Sequence, residues 1–269
     1  MIYFLITILL LVVLYILATY CRRPSDGMAA LRGWAYAHRG LHGNGAPENS
    51  LEAFQRARDA GYGSELDLHL LRDGELAVIH DHALLRTTGQ EGRIEDLTSE
   101  DLAKYHLEGT NETIPLFADV LKIYSGSAPL IVELKATAKN VAKLCEKTCE
   151  MLDTYNGLYC IESFDPRCIY WLRKHRPDII RGQLTENYCA SPTSKLPWLI
   201  KIILRHQVLN FLTRPDFVAY KFADRKTISN TICRKLWRAQ GVTWTLKTLE
   251  EYETAVNEEW IPIFEDFLP

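Results

Sequence analysis

Three carboxylates lie within apolar, strand-like segments of the chain. Glu65 and Asp67 are two residues apart in SELDLHL (64–70), and Glu133 lies in LIVELK (130–135). Side chains two apart in a strand point to the same face, so Glu65 and Asp67 are expected side by side. Burying such carboxylates together is unfavourable unless a cation or hydrogen bonds compensate them. Because oxygen-only ligation favours Mg2+ or Ca2+ over zinc, the three carboxylates predict a hard-cation site.

Two histidines and two basic residues occupy similar positions. His38 and Arg39 end one strand-like run, His80 ends another, and Lys135 lies two residues after Glu133. Imidazole titrates near neutral pH, so the histidines are candidates for proton transfer. Arg39 and Lys135 supply fixed positive charge for an anionic group such as phosphate. The set predicts phosphodiester chemistry, in which one histidine deprotonates the nucleophile and the other protonates the leaving alkoxide.

The segments that carry these residues alternate with helical patterns, for example one predicted to begin at an N-cap Ser50 and end near Gly61. Such alternation predicts a parallel sheet, here an α/β fold of the (β/α)8 TIM-barrel type, whose C-terminal strand ends meet at one mouth. Nine candidate strands are present where a barrel needs eight, and we expect the surplus among the three between residues 159 and 222. The candidates are 35–38, 64–70, 76–80, 130–135, 159–164, 179–184, 217–222, 242–246 and 261–265.

Length, charge and cysteine content narrow the class of protein. A chain of 269 residues with 47% apolar residues fits one large domain with a short appendage. The net charge of −3 provides no basic field for nucleic acid. The seven cysteines form no C-x-x-C pair and are expected to be reduced thiols, mostly buried. Nothing in the sequence indicates a protein partner.

The first residues predict a membrane anchor. Residues 2–20 carry no charge and have about the length needed to span a bilayer. A cleavable signal peptide is disfavoured because no basic region precedes the apolar run and no small-x-small site follows it. We therefore predict a transmembrane anchor at 1–23 and a catalytic domain at 24–269. Arg22 and Arg23 follow the run, so the domain is expected at the cell membrane facing the cytoplasm.

A second apolar stretch lies later in the chain. Residues 186–215 are expected to be an insertion between barrel units, with an apolar middle. Within it, LPWLIKIILRHQVLNFL (196–212) is predicted to be a helix resting on the membrane surface near the barrel mouth, where it could admit substrates with an acyl chain. The alternative is an ordinary barrel helix packed against the sheet.

An ordered series of motifs resembles the glycerophosphodiester phosphodiesterase family. The matching pieces follow the family order over nearly all of the chain after the first segment. They are HRG (38–40), PENS (47–50), ELDLHLLRDG (65–74), VIHD (78–81), LLRTTG (84–89), IPLFADVL (114–121), VELK (132–135), SFDP (163–166) and VTWTL (242–246).

The resemblance implies a (β/α)8 barrel with a divalent cation, Mg2+ or Ca2+, and a glycerophosphodiester or lysophospholipid substrate. Phe164 is in addition expected to line the pocket. Carried over to the matching positions, the resemblance implies that His38 and His80 are the acid/base pair, that Glu65, Asp67 and Glu133 bind the metal, that Arg39 and Lys135 contact the phosphate, that Glu48 and Asn49 support the site, and that Trp244 lines the pocket against the glycerol.

Some positions depart from the family pattern or lie beside it. Leu71 stands where the family commonly has threonine, and the chain closes with EDFLP (265–269) where the family usually has TDYP. We expect neither departure to touch a metal-binding or proton-transfer residue. His69 shares a strand face with Glu65 and is the expected neighbour of the site. Asp81 is expected to orient its surroundings or to cap the next helix.

Two other functions are compatible with a barrel of this kind. A metal-independent phosphodiesterase of the phospholipase C type would replace the metal with a basic residue, and the retained carboxylates argue against it. A catalytically inactive membrane scaffold would be expected to have lost at least one site residue. The leaving alcohol and the nucleophile, which is water or the glycerol 2-hydroxyl, stay open at this point.

Overall fold

The computed structural model describes residues 1–190 and 195–269. Eight parallel strands close into a barrel, because β1 pairs with β2 on one side and with β9 on the other. The predicted (β/α)8 barrel is therefore confirmed. The strands are β1 (Tyr36–His38), β2 (Gly63–Leu70), β3 (Leu76–Val78), β4 (Leu130–Leu134), β5 (Tyr159–Ser163), β6 (Arg181–Thr185), β7 (Phe217–Lys221), β8 (Gln240–Leu246) and β9 (Trp260–Phe264).

The surplus strand is β3, and the prediction that placed it between residues 159 and 222 is wrong. β5, β6 and β7 all belong to the barrel, whereas β3 runs antiparallel to β2 at its outer end. β3 follows β2 after a short turn, and a turn of that length can only return the chain antiparallel to the strand it leaves. β3 ends at Val78, so His80 follows a hairpin and does not end a barrel strand.

Helices surround the barrel. The predicted N-cap is confirmed, since Ser50 accepts a hydrogen bond from the backbone N–H of Ala53. The helices in the described residues are α1 (Ile2–Ala18), α2 (Gly27–Leu31), α3 (Leu51–Asp59), α4 (Leu85–Thr88), α5 (Phe117–Tyr124), α6 (Val141–Asp153), α7 (Pro166–His175), α8 (Trp198–Arg205), α9 (Asn210–Thr213), α10 (Ile228–Thr231) and α11 (Leu249–Asn257). Shorter 3-10 turns cover Ile94–Asp96, Ser99–Lys104 and Phe222–Asp224, and Ile232–Leu236 is π-helical.

The alternation of side chains along β2 separates the core from the site. Leu66 and Leu68 pack with Phe54 of α3 and Val120 of α5 in the layer between sheet and helices. Because neighbouring strand residues point to opposite faces, Glu65, Asp67 and His69 point into the barrel. Lower in the barrel, a second apolar cluster contains Tyr36, Ile131, Phe217, Val242 and Ile263. The carboxylates of β2 thus lie above this apolar cluster, toward the mouth.

The predicted transmembrane helix is not supported. In the part of the chain that the structure describes, no helix is both long and apolar enough to cross a membrane. α1 has 17 residues, which rise about 25 Å against a hydrocarbon core of about 30 Å. After α1 the chain joins the barrel, where Arg22 pairs with Asp216 at 2.6 Å. The cell-membrane location with a cytoplasmic domain stays a prediction.

The apolar stretch at 186–215 falls between β6 and β7. The single helix predicted over 196–212 is wrong in extent, because α8 ends at Arg205 and α9 begins only at Asn210. Gln207 between them has a φ of 56°, a left-handed conformation that a continuing helix cannot contain. That the segment 196–212 rests on a membrane surface stays a prediction.

Candidate active site

The three predicted metal-binding carboxylates meet inside the barrel mouth. β2 and β4 are neighbours with Asp67 opposite Glu133, and one oxygen each of Glu65, Asp67 and Glu133 lies within 4.8 Å of the others. All three are buried, with exposures of 3%, 1% and 5%. Burial and the neighbouring carboxylates raise the pKa of Glu65 well above its ordinary value. Glu133 Oε1 is buried without a hydrogen-bond partner among the described residues, so the cluster fits a hard cation.

Two basic side chains hold this cluster together. Lys135 Nζ lies 3.0 Å from Asp67 Oδ1 and 2.8 Å from Glu133 Oε2. Arg39 Nε lies 3.5 Å from Asp67 Oδ2, and its backbone N–H donates to Glu65 Oε2 at 3.2 Å. Burial alone would raise the pKa of Asp67, but Lys135, His80 and Arg39 outweigh it and hold that pKa well below the ordinary value. Asp67 is therefore the firmly ionised member of the three.

The PENS loop contacts the cluster from outside. Asn49 Nδ2 donates to Asp67 Oδ2 at 2.8 Å. Glu48 accepts from Arg39 at 3.0 Å and from Arg86 at 2.6 Å, so it fixes two guanidinium groups at once. Both residues thus lie where a supporting role requires them.

His38 is bonded to a residue at the other end of the chain. Its Nδ1 lies 2.5 Å from Glu265 Oε2, and its Nε2 faces Glu65 Oε2 at 3.9 Å. Burial lowers the pKa of His38. Burial would raise the pKa of Glu265, but the hydrogen bond to His38 outweighs it and lowers that pKa to about 2. The expectation that EDFLP touches no proton-transfer residue is therefore wrong. Because β1 pairs with β9, the residue that follows β9 lies beside the end of β1.

His80 has a matching carboxylate partner. Its Nδ1 lies 2.6 Å from Asp81 Oδ1, and Arg86 donates to the other oxygen of Asp81. The hydrogen bond with His80, and after it the bond with Arg86, holds the pKa of Asp81 well below its ordinary value. Asp81 thus contacts both His80 and Arg86, and the expectation that it orients them stays a prediction. His69 also reaches the site, with Nε2 3.3 Å from the backbone oxygen of His80.

An aromatic wall borders the cluster. The Phe164 ring stands edge-on to the Trp244 ring, with centroids 5.6 Å apart, and Lys135 Nζ lies 5.9 Å from the Phe164 centroid. Trp244 Nε1 is buried and has no hydrogen-bond partner among the described residues, so it can donate to a ligand. A cavity of about 830 Å³ opens here, with His80, Glu133, Lys135 and Phe164 in its lining. The structure thus brings the predicted site residues together.

The sequence reasoning missed three contributors to this mouth. Glu162 on β5 lies opposite Glu133, is 1% exposed, and has a pKa raised well above the ordinary value by burial and by Glu133. Its signal was available, since a carboxylate in the apolar run YCIESF repeats the pattern of VELK. Arg86 lies within the LLRTTG motif but its link to Asp81 depends on the folded loop. Glu265 could be found only from strand neighbours.

Comparisons with known proteins agree with this geometry. The model of the glycerophosphoryl diester phosphodiesterase family matches residues 38–223, more than half of the chain. A glycerophosphodiester phosphodiesterase of Bacillus altitudinis is 34% identical over 168 residues, which are 58% of this chain and 68% of that protein. Glycerophosphodiester phosphodiesterase 1 of Bos taurus is 28% identical and covers 92% of this chain and 82% of its own length.

Solved structures show the same fold. A phosphodiesterase of Oleispira antarctica, in complex with the product sn-glycerol-3-phosphate, superposes with a TM-score of 0.72 over 89% of this chain and 95% of its own, at 21% identity. A glycerophosphodiester phosphodiesterase of Thermotoga maritima superposes with a TM-score of 0.64 over 86% of this chain and 93% of its own, at 22% identity. The barrel, the motifs in order and the family match together show that this chain belongs to the glycerophosphoryl diester phosphodiesterase family and is an enzyme of that class.

Proposed function

We propose that the chain hydrolyses glycerophosphodiesters to glycerol phosphate and an alcohol by metal-dependent acid/base catalysis with His38 and His80. One observation carries the proposal: two imidazoles, each bonded through Nδ1 to a carboxylate, border a buried group of three carboxylates. Bonding through Nδ1 leaves Nε2 of each ring available for proton exchange with a substrate.

Glu65, Asp67 and Glu133 would hold the cation, and their oxygens suit Mg2+ or Ca2+. A cation bound there would offset charge on a phosphoryl oxygen. Lys135 and Arg39 contact Asp67, and their positive charge supports the proposal that they bind the phosphate. Trp244 and Phe164 form the apolar wall against which the glycerol would pack.

The two histidines take different roles in this proposal. His38 has a pKa lowered by burial, so it is neutral at pH 7 and acts as the general base. His80 lines the open cavity, where a departing alcohol can reach its Nε2, and it acts as the general acid. The attacking oxygen, of water or of the glycerol 2-hydroxyl, forms the new bond to phosphorus and gives its proton to His38. The bond from phosphorus to the alcohol breaks, and His80 protonates the departing oxygen. Attack by water gives glycerol phosphate directly, whereas attack by the 2-hydroxyl gives a cyclic phosphate, which a water molecule then opens to glycerol phosphate.

Metal removal separates this proposal from a metal-independent phosphodiesterase. Glycerophosphocholine hydrolysis by the purified chain should stop in EDTA and return with Mg2+ or Ca2+. Calorimetry should show weaker cation binding for Glu65→Gln, Asp67→Asn and Glu133→Gln, because each replaces an anionic oxygen ligand with a neutral amide. Glu112→Gln, at a solvent-accessible carboxylate outside the cluster, is the control and should bind the cation as the wild type does. Unchanged turnover in EDTA would favour the metal-independent alternative.

A further inference from the structure

A group of two imidazoles and one carboxylate lies beside the carboxylate cluster. It consists of His69 on β2, His82 two residues after His80, and Glu95 in the 3-10 turn Ile94–Asp96. One ligand atom from each of His69, His82 and Glu95 lies within 4.8 Å of the other two. The proposed reaction uses none of these three side chains.

The loop after β3 closes on itself and brings two of the three residues together. Ala83 and Arg93 form an antiparallel bridge, and the backbone N–H of Ile94 donates to the backbone oxygen of His82 at 3.0 Å. His82 and Glu95 are 13 residues apart in the chain, yet their side chains are in contact. Backbone hydrogen bonds therefore place these two side chains next to each other without any bound ion.

Both imidazoles direct Nδ1 at the same oxygen of Glu95. His69 Nδ1 lies 3.1 Å from Glu95 Oε1, and His82 Nδ1 contacts that oxygen as well. The two imidazole rings stand edge-on, with centroids 4.7 Å apart. Two nitrogens and a carboxylate oxygen thus converge on one small volume, where a single cation could contact all three.

The second nitrogen of His69 already has a partner. Nε2 lies 3.3 Å from the backbone oxygen of His80, which can only accept, so the neutral ring carries its hydrogen on Nε2 and a lone pair on Nδ1. That lone pair faces Glu95 Oε1 at 3.1 Å, and the two acceptors repel each other unless a proton or a cation lies between them. A carbonyl on the far nitrogen is the usual support of a metal-binding histidine.

The remaining oxygen of Glu95 and the outer face of His82 also suit a metal. Glu95 Oε2 is buried and forms no hydrogen bond with a described residue, although Arg93 Nη2 lies 3.1 Å away. His82 lines the open cavity of about 830 Å³ at the barrel mouth, so an ion can reach the group from solvent. Ligands in place, a supporting hydrogen bond and an entry path are what a metal site requires.

We propose that His69, His82 and Glu95 form a second metal site, which binds a transition-metal ion such as Zn2+ through two imidazole nitrogens and a carboxylate. Imidazole favours zinc and related metals, whereas the oxygen-only carboxylate cluster favours Mg2+ or Ca2+. The Cα atoms of Asp67 and His69 are about 7 Å apart along β2, so two different ions can be bound at once. An ion here would tie β2 to both ends of the loop 82–95, and its binding would release any proton held between an imidazole and Glu95.

Calorimetric titration of the metal-free full chain with Zn2+, in excess Mg2+ to occupy the carboxylate cluster, tests the site. We expect His82→Ala and Glu95→Gln each to weaken the tightest Zn2+ binding by at least roughly tenfold, because each removes one of three protein ligands. Circular dichroism checks folding. Glu95→Gln preserves the shape of the side chain, so it carries the test if His82→Ala does not fold.

His42→Ala is the matched control. Among the described residues, the other group that combines histidines with a carboxylate is His38, His42 and Glu265, and a Zn2+ ion could bind there instead. His42→Ala removes a histidine from that group only and should leave the tightest Zn2+ affinity unchanged. Hydrogen exchange gives a second measurement, since Zn2+ should slow exchange of the backbone amides of 82–95 in the wild type and in His42→Ala, but not in His82→Ala.

Three results would overturn the site. Zn2+ affinity that is unchanged in His82→Ala and Glu95→Gln would mean that the ion binds elsewhere. Affinity that falls in His42→Ala and not in His82→Ala would assign the ion to the group that contains His42. A wild-type chain that binds no Zn2+ would mean that Glu95 only holds two imidazoles by hydrogen bonds.

Discussion

Each of the two histidines of the site is bonded through Nδ1 to a carboxylate, but one of these pairs is more buried than the other. His38 and Glu265 come from the ends of neighbouring barrel strands, 227 residues apart in the chain, and their side chains are 14% and 17% exposed. His80 and Asp81 are adjacent residues on the loop after β3, with side chains 32% and 28% exposed. The His38–Glu265 pair therefore forms only when the barrel closes, whereas the His80–Asp81 pair is formed by neighbours in the sequence.

Burial determines how strongly each histidine depends on its carboxylate partner. Water cannot replace a lost partner in the enclosed His38–Glu265 pair, whereas it can reach the His80–Asp81 pair. Each carboxylate also has a basic neighbour, since Arg86 bonds Asp81 and Lys247 Nζ lies 3.3 Å from Glu265 Oε1, so burial is what distinguishes the inner His38–Glu265 pair from the outer His80–Asp81 pair. The inner pair should therefore depend more strongly on its carboxylate than the outer pair does.

The largest effect should come from removing either imidazole. We expect His38→Ala and His80→Ala each to lower kcat by at least roughly a hundredfold, the lower range for loss of a general acid or base. Steady-state kinetics with glycerophosphocholine measures the loss, and circular dichroism checks folding. His175→Ala, at an exposed histidine of α7, is the control and should retain wild-type turnover. Activity within a few-fold of wild type for His38→Ala or His80→Ala would contradict that residue's role.

The carboxylates should give smaller and unequal losses. We expect Glu265→Gln to lower kcat/KM by roughly tenfold to a hundredfold, the range for residues that orient a functional group. Asp81→Asn should cost roughly tenfold or less, because water can reach His80 and accept from its Nδ1 in place of the carboxylate. The same steady-state assay compares the two variants. Equal losses would mean that depth does not distinguish the pairs.

The sequence predicted those parts of the site that depend on contacts between residues close together in the chain. Glu65 and Asp67 share a strand, so their spacing alone places them on one face. The partner of His80 is its own neighbour Asp81, so this contact is local in the sequence. Glu265 was misjudged because its contact with His38 depends on which strands close the barrel, and strand order is a property of the whole fold.

The predictions of which strand is surplus and of where segments end were wrong for a related reason. LAVIH has the composition of a buried barrel strand, and residues 76–78 are indeed buried, but in a hairpin against β2. An apolar run indicates burial and does not indicate which layer buries it. In the same way, the uncharged residues 2–20 indicated the helix α1, whereas its length of 17 residues was decided by where the chain turns toward the barrel at Thr19.

The smallest expected effect is a shift in pH dependence that belongs to the inner pair alone. A general base must be neutral, so the acid limb of the kcat/KM profile follows protonation of His38. Burial lowers the pKa of His38, and the anionic Glu265 partly opposes that shift, so the wild-type acid limb should lie below pH 6.5. In Glu265→Gln the opposing charge is gone. The pKa of His38 should fall further, and the acid limb of this less active variant should move to lower pH.

Profiles measured from about pH 4.5 to 8 on the wild type, Glu265→Gln and Asp81→Asn would make this comparison. Asp81 contacts His80 and Arg86, so Asp81→Asn should leave the acid limb where the wild type has it. If the limb of Glu265→Gln moved to higher pH, Glu265 would not be stabilising the protonated form of His38. If both variants moved the limb equally, the two pairs would titrate as one group, and the distinction between an inner base and an outer acid would be lost.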